Sequence, residues 1–452
     1  MTKTSNVPNW LLWAAWSKHP ALARWAWKRI APRSEPFVVP DGAFRLALCG
    51  DLNFDPVVRS LWCLGLHSLE PRAPKRTIIR RIRGRLWRAF CRWFISPQYF
   101  TNDLAPSFRE YSFRKPADES KLERDEFLLR SWEFNIDYSS VTDRYAYPFV
   151  RIAPFLKSKD LVLANLETPL STHPRVAGLF ESDPGYAVPM RKAGISVVNL
   201  ANNHIFDEGE AGLFETLRHL DAAGVRHVGI GKNYEDARRG TFIEQDGLKF
   251  AFLCYTQWCN ARFSSMAAGH PGLLPLNREL MVEDVARARP AADFVIVSLH
   301  WGQENQPNVH PAQIEIAHLL IDAGADCIAG HHPHVPQGIE VYKGRPILYS
   351  LGCLIFGQSN GNWTENFVAE IVIDGRQLRG VVLHPISAKD KEVFQPEVLR
   401  GERAVSLLRR LQLMSLPLNT GIAIHHDAGY IDLHPKAAAR ERPARAVEAL
   451  AT

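Results

Sequence analysis

Residues 328–338 read IAGHHPHVPQG, a short apolar run followed at once by three histidines in four positions. A single surface histidine carries no chemical message. His332 and His334, however, flank Pro333, so two imidazoles can be aimed at one point, and metal binding is the simplest chemistry that uses such a pair. That reading requires further ligands elsewhere, and they stand at the ends of other apolar runs. FRLALCGD ends in Asp51, LVLANLE at Asn165 and Glu167, VVNLANNH in Asn202, Asn203 and His204, and IVSLHWG at His300. In open α/β sheets functional groups collect beyond the carboxyl ends of the strands, so these strand ends form one pattern.

The runs FRLALC, LVLAN, SVVNL, FAFLC and FVIVSLH have strand length and no polar alternation, which suits strands buried on both faces. Between them lie helical patterns over 208–223 and 311–323. AGISVV, AGVRHV and AGADCI place Gly194, Gly224 and Gly324 where a helix end needs a left-handed residue. Strand–helix alternation with glycine stops predicts an α/β layered fold. Residues 367–386 alternate apolar and polar around Asp374-Gly375, the pattern of a β-hairpin.

Mixed carboxylate, amide and imidazole ligands suit Mn²⁺, Fe²⁺ or Zn²⁺. The lack of cysteine at these strand ends argues against a structural zinc. So many ligands exceed the need of one ion, so two divalent metal ions are expected.

The chain of 452 residues is 46% hydrophobic and 23% charged, the balance of a globular protein, with a net charge of +6. Its seven cysteines are odd in number and form no CxxC pair, which reads as reduced thiols in a cytosolic setting. Three zones follow. Residues 1–40 form a tryptophan-rich basic leader, within which NWLLWAAWSKHPALA is either a short secretory signal or an amphipathic helix resting on protein or bilayer. Residues 41–435 form the main domain, with an insertion over about 60–143, and residues 436–452 an Ala/Arg-rich tail. Within the insertion, residues 72–92 carry nine Lys/Arg and no acid, with Ile78, Ile82, Leu86 and Trp93 at helical spacing. Such a basic amphipathic helix either engages an anionic membrane or acidic polymer through residues such as Arg80 and Arg81, or docks its apolar side on the host domain.

GDLNFD, DLVLANLETPL, VVNLANNHIFDEG, IVSLHWGQE and GADCIAGHHPHVPQGIEVYKGRPILYSLGCLIF resemble, in order, the motifs of the CapA family of capsule (poly-γ-glutamate) synthesis proteins. The resemblance covers about 43–58 and 146–390. It implies a four-layer α/β/β/α metallophosphoesterase-like sandwich of the calcineurin kind, here with a helical basic insertion, around a dinuclear metal centre. By motif position Asp51 would ligate one metal and Glu167 bridge both. Asn203, His300 and His332 would hold the second metal, and His334 would return to the first. His204 would contact a phosphate and protonate the leaving group, with Asp207 orienting it. Asn53 and Asn202, beside the ligands, are expected to contact substrate.

Two departures stand out. The segment Asp51-Leu52-Asn53 lacks the histidine of the Asp-x-His motif common among metallophosphoesterases. Cys353 and Asn305 stand where the family usually has Asn and Tyr, and are expected to tune the pocket wall. The expected function is a dinuclear metal-dependent hydrolase acting on a phosphoester or an anionic capsule-type polymer. The alternative is a non-catalytic capsule assembly or export component that binds an acidic chain. An anionic substrate and a membrane surface met through the leader and residues 72–95 are the expected partners. The absence of aromatic-interleaved basic motifs in the matched region argues against nucleic acid.

Overall fold

Apolar strands buried on both faces must find a second layer on each side, and the described strands do so by forming two sheets packed face to face. The computed structural model describes residues 36–54, 143–173, 180, 182–259, 271–356, 365–388 and 394–434. Most of the 1–40 leader, the 72–95 basic stretch with Arg80 and Arg81, and the 436–452 tail lie outside the described residues.

Along the chain the strands are β1 (Phe44–Asn53), β2 (Leu161–Leu166), β3 (Val197–Asn199), β4 (Arg226–Val228), β5 (Ile230–Gly231) and β6 (Thr241–Gln245). There follow β7 (Leu248–Thr256), β8 (Gly272–Leu273), β9 (Phe294–His300), β10 (Cys327–His331), β11 (Ile339–Tyr342) and β12 (Arg345–Leu348). The last are β13 (Cys353–Phe356), β14 (Asn366–Asp374), β15 (Gln377–Ile386), β16 (Ala423–His425) and β17 (Ala428–Asp432). The helices are α1 (Ala153–Leu156), α2 (Ala187–Lys192), α3 (Gly209–Ala223), α4 (Tyr234–Arg238), α5 (Arg278–Ala288), α6 (Pro311–Ala323) and α7 (Gly401–Ser415).

The first sheet has the order β16-β17-β15-β14-β1-β2-β3-β4, with β13 also beside β1. The second runs β11-β12-β10-β9-β7-β6. The strands β1 to β4 are parallel neighbours, as are β7, β9, β10 and β12, so each sheet presents a row of carboxyl ends. Alternate residues of the second sheet, Phe250, Phe252, Phe294 and Ile296, share one core with Leu46, Leu48, Leu163 and Val198 of the first. Phe44 stacks on Phe250 across that interface at 5.1 Å. The intervening residues Ala251, Leu253, Val295 and Val297 point the other way, onto Met281 and Val285 of α5 and Ile316 and Leu320 of α6. Met190 of α2 and Leu213 and Leu220 of α3 close the first sheet's side of the core. The result is the α/β/β/α order of layers.

Helix ends and turns follow the glycines. Gly194, Gly224 and Gly324 have φ of 109°, 71° and 119°, and β14 and β15 form the hairpin around Gly375 at φ 57°. No helix among the described residues is long and apolar enough to cross a membrane. Five cysteines, Cys49, Cys254, Cys259, Cys327 and Cys353, are free and buried.

Candidate metal centre

One wall of the site comes from the first sheet. The register of β1 shifts between Leu48 and Asp51, and beyond that point the strand pairs with β13, bringing Asp51 opposite Cys353. Gly50 permits this approach, since a Cβ there would lie 2.0 Å from the Gly352 carbonyl oxygen. Glu167 follows β2 directly, its amide donating to the Leu52 carbonyl at 2.9 Å. The Asn202 amide donates to the Leu166 carbonyl at 2.7 Å, tying the turn after β3 to the end of β2. Asn165 sits at the centre: its Nδ2 donates to Asp51 Oδ1 at 2.8 Å and Glu167 Oε1 at 3.3 Å, and lies 3.2 Å from His300 Nδ1.

The facing wall comes from the second sheet. His300 ends β9 and places Nε2 2.8 Å from Asn203 Oδ1 and Nδ1 3.7 Å from Glu167 Oε1. His331 ends β10, with Nδ1 3.4 Å from Asp51 Oδ1. His334 lies between the two carboxylates, Nδ1 3.0 Å from Asp51 Oδ2 and Nε2 3.9 Å from Glu167 Oε2. The ring centroids of His300 and His332 are 4.7 Å apart. His332 and His334 adopt φ of 92° and 58°, a left-handed backbone that costs a non-glycine residue roughly 1–3 kcal/mol each. That cost is what aims both imidazoles inward from one short turn.

Burial makes these groups electrostatically demanding. Burial raises the Glu167 carboxyl well above the carboxylate range, and the Asp51 charge pushes it further. Burial also acts on Asp51, but the imidazoles of His331 and His334 beside it hold it well below that range. Burial lowers His300 strongly and His332 to about 4, while Glu167, Cys353 and Asp51 overcome burial at His334 and raise it. Glu167 Oε2 and His332 Nδ1 are buried without a hydrogen-bond partner. Orphaned atoms of this kind are expensive unless something charged is bound to them.

A divalent cation fits that requirement. Three overlapping sets, Asp51–His334–Cys353, Glu304–His332–His334 and Asp51–Glu167–His300, each bring ligand atoms within 4.8 Å of one another. The donor set is oxygen and imidazole with one sulfur, so a first-row divalent metal is the chemistry it suits.

Beside the cluster stands a proton carrier. The turn after β3 places His204 Nδ1 2.7 Å from Asp207 Oδ2, which also accepts the Phe180 amide at 2.9 Å. Phe180 stacks on the imidazole at 3.8 Å, and the His204 amide is held by Asn202 Oδ1 at 3.0 Å. The ring is thereby fixed in orientation on one side and in tautomer by the carboxylate.

The structure thus brings Asp51, Glu167, Asn203, His204, Asp207, His300, His332 and His334 into one locus, all of them buried. Asn202 is buried with both ends of its amide on the backbone, and Asn53 is buried at the end of β1. Sequence reasoning missed Glu304, Phe180 and His331 as site residues and named Asn165 only as a polar group at a strand end, not as the amide that links Asp51, Glu167 and His300. Only His331 had a local signal, its place in the histidine run; the others meet the site through contacts distant in sequence.

Residues 116–358 match the family model described as "Bacterial capsule synthesis protein PGA_cap". β1, with Asp51, lies outside that span and is built into the site by its pairing with β2 and β13. Capsule biosynthesis protein CapA of Bacillus anthracis is 33% identical over 245 residues, covering 50% of this chain and 57% of that protein. PGA biosynthesis protein CapA of Bacillus subtilis (strain 168) is 32% identical over 222 residues, covering 48% and 57% respectively. The chain therefore spans little more than half the length of these two relatives. Among solved structures, the calcineurin-like phosphoesterase YfkN from Bacillus subtilis aligns with a TM-score of 0.29 at 13% identity, over 68% of this chain and 90% of that one.

Proposed function

The chain belongs to the bacterial capsule synthesis protein PGA_cap family, and from that premise we propose that it is a metal-dependent hydrolase acting on a phosphoester or an anionic capsule-type polymer. Divalent ions held by Asp51, Glu167, Asn203, His300, His332 and His334 would supply Lewis-acid polarisation and neutralise an anionic substrate group. The surplus of ligands would accommodate two such ions, with Glu167 among the residues that hold them. His204 does the proton work. With Nδ1 donated to Asp207, its other nitrogen, Nε2, is the atom that hands a proton to the leaving group. Asp207 stabilises the charged imidazolium and holds the ring against rotation.

The observation that carries this reading is the His204–Asp207 pair at 2.7 Å beneath Phe180, next to the ligand cluster. A surface that only bound polymer would have no use for an oriented proton donor. The test is turnover of a chromogenic phosphoester by the Mn²⁺-loaded protein. His204→Ala is expected to lower kcat by about 10²–10⁴ while metal content stays unchanged.

A second reading is favoured by the biosynthesis names of the two relatives: a polymer-binding assembly component. Metal bound without turnover, together with salt-sensitive retention of polyglutamate that survives His204→Ala, would replace the first reading with this one.

A further inference from the structure

Where metallophosphoesterases commonly carry the histidine of an Asp-x-His motif, this chain has Asn53, and capsule-family sequences usually lack that histidine too. The pairing of β1 with β13, however, brings a thiol beside Asp51 and His334. We infer that Cys353 binds metal through its sulfur, joining Asp51 and His334 in a one-sulfur site that favours a thiophilic ion such as Zn²⁺. This rests on the metal-centre reading above.

The pairing of β1 with β13 sets Cys353 directly opposite Asp51, fixed by the Asp51 amide donating to the Gly352 carbonyl at 3.0 Å. Cys353 Sγ lies 3.6 Å from His334 Nδ1, and Asp51 Oδ2 lies 3.0 Å from the same nitrogen. All three ligand atoms fall within 4.8 Å of one another. Zinc–sulfur and zinc–nitrogen bonds of about 2.3 and 2.0–2.1 Å at a tetrahedral angle put sulfur and nitrogen about 3.6 Å apart. The observed separation is the same. A second feature is Asp51 Oδ2 itself, a fully buried carboxylate oxygen without a hydrogen-bond partner that faces the same point.

No other cysteine among the described residues joins such a set. Cys49, Cys254, Cys259 and Cys327 lie in the apolar core. Binding balances simply: the S–H bond breaks, a sulfur–metal bond forms, and the proton leaves to solvent. The sulfur then selects for a softer ion than the carboxylates and imidazoles would alone.

The experiment loads the full chain with Co²⁺ and records the near-ultraviolet thiolate-to-cobalt charge-transfer band, with cobalt content measured by elemental analysis. Wild type is expected to show the band. Cys353→Ser, nearly isosteric, and Cys353→Asn, which restores the residue usual in the family, are expected to lose it. In competition, Cys353→Asn should lose at least tenfold in Zn²⁺ affinity relative to Mn²⁺. Co²⁺ uptake by wild type without the band, or a band that survives in either folded variant, overturns the inference while leaving the metal centre intact. A wild type that takes up no Co²⁺ overturns both.

Discussion

At the scale of single residues the most informative contact is between His204 and Asp207. A carboxylate 2.7 Å from Nδ1 fixes which ring nitrogen carries the transferable proton. Asp207→Asn keeps the shape and removes the charge. It should lower turnover by roughly 10–100-fold, the usual loss on removing an orienting partner, with metal content unchanged. Unchanged turnover would show that Phe180 alone holds the ring. That the side chains of the site would gather in one place was legible in the sequence because each stands at the end of an apolar run, where chain chemistry and sheet geometry coincide. The cross-contacts were not. Asn165 meets His300 from 135 positions away, and Cys353 meets Asp51 only because two strands distant in sequence run side by side. No local pattern encodes such a meeting. The left-handed backbone at His332 and His334 was equally silent, since histidine, although enriched there among non-glycine residues, adopts it too seldom for the sequence to signal it.

At the scale of elements, the first sheet is fastened by one buried carboxylate. Glu370 on β14 receives Lys159 Nζ at 2.6 Å and Arg45 of β1 at 3.3 Å, and lies 2.8 Å from His384 Nε2 of β15. Burial works to raise its pKa, but His384 and Lys159 win and bring it from 4.5 to about 2. A carboxyl lowered in the folded state adds stability above its unfolded pKa and loses it as pH falls toward the folded one. Glu370→Gln should therefore cost about 3 kcal/mol at pH 7, measured by denaturant unfolding, with the gap to wild type narrowing by pH 3. An equal gap at both pH values would rule out the ion pair as the source. This fastening was invisible in the sequence, where Glu370 reads only as the polar residue of an alternating strand. The hairpin carrying it was visible, because Asp374-Gly375 names its turn.

At the scale of the whole molecule, the residues proposed to hold metal divide between the sheets: Asp51, Glu167 and Asn203 on one side, His300, His332 and His334 on the other. A bound cation is then a cross-link between the two halves of the core, present in the folded chain and absent from the unfolded one. Metal at one hundred times its Kd adds about 2.7 kcal/mol. For a chain of this size that corresponds to a Tm rise of roughly 3 °C. Removing metal by dialysis against EDTA should lower Tm by that order and Zn²⁺ or Mn²⁺ should restore it, while His332→Ala/His334→Ala should show no response. A wild-type Tm indifferent to EDTA would mean that no ion spans the sheets.

The place of β1 has a consequence for how this protein is made. It is the first described strand, yet it lies mid-sheet, and its partners β13 and β14 begin only at Cys353 and Asn366. About 300 residues separate Asp51 from Cys353, and at about 5–20 residues per second a ribosome needs on the order of tens of seconds to deliver them. Through that interval the nascent chain carries an apolar strand with one edge unpaired, a natural client for a holding chaperone. The candidate site also completes late: only after Cys353 has left the exit tunnel do the residues that surround it exist together.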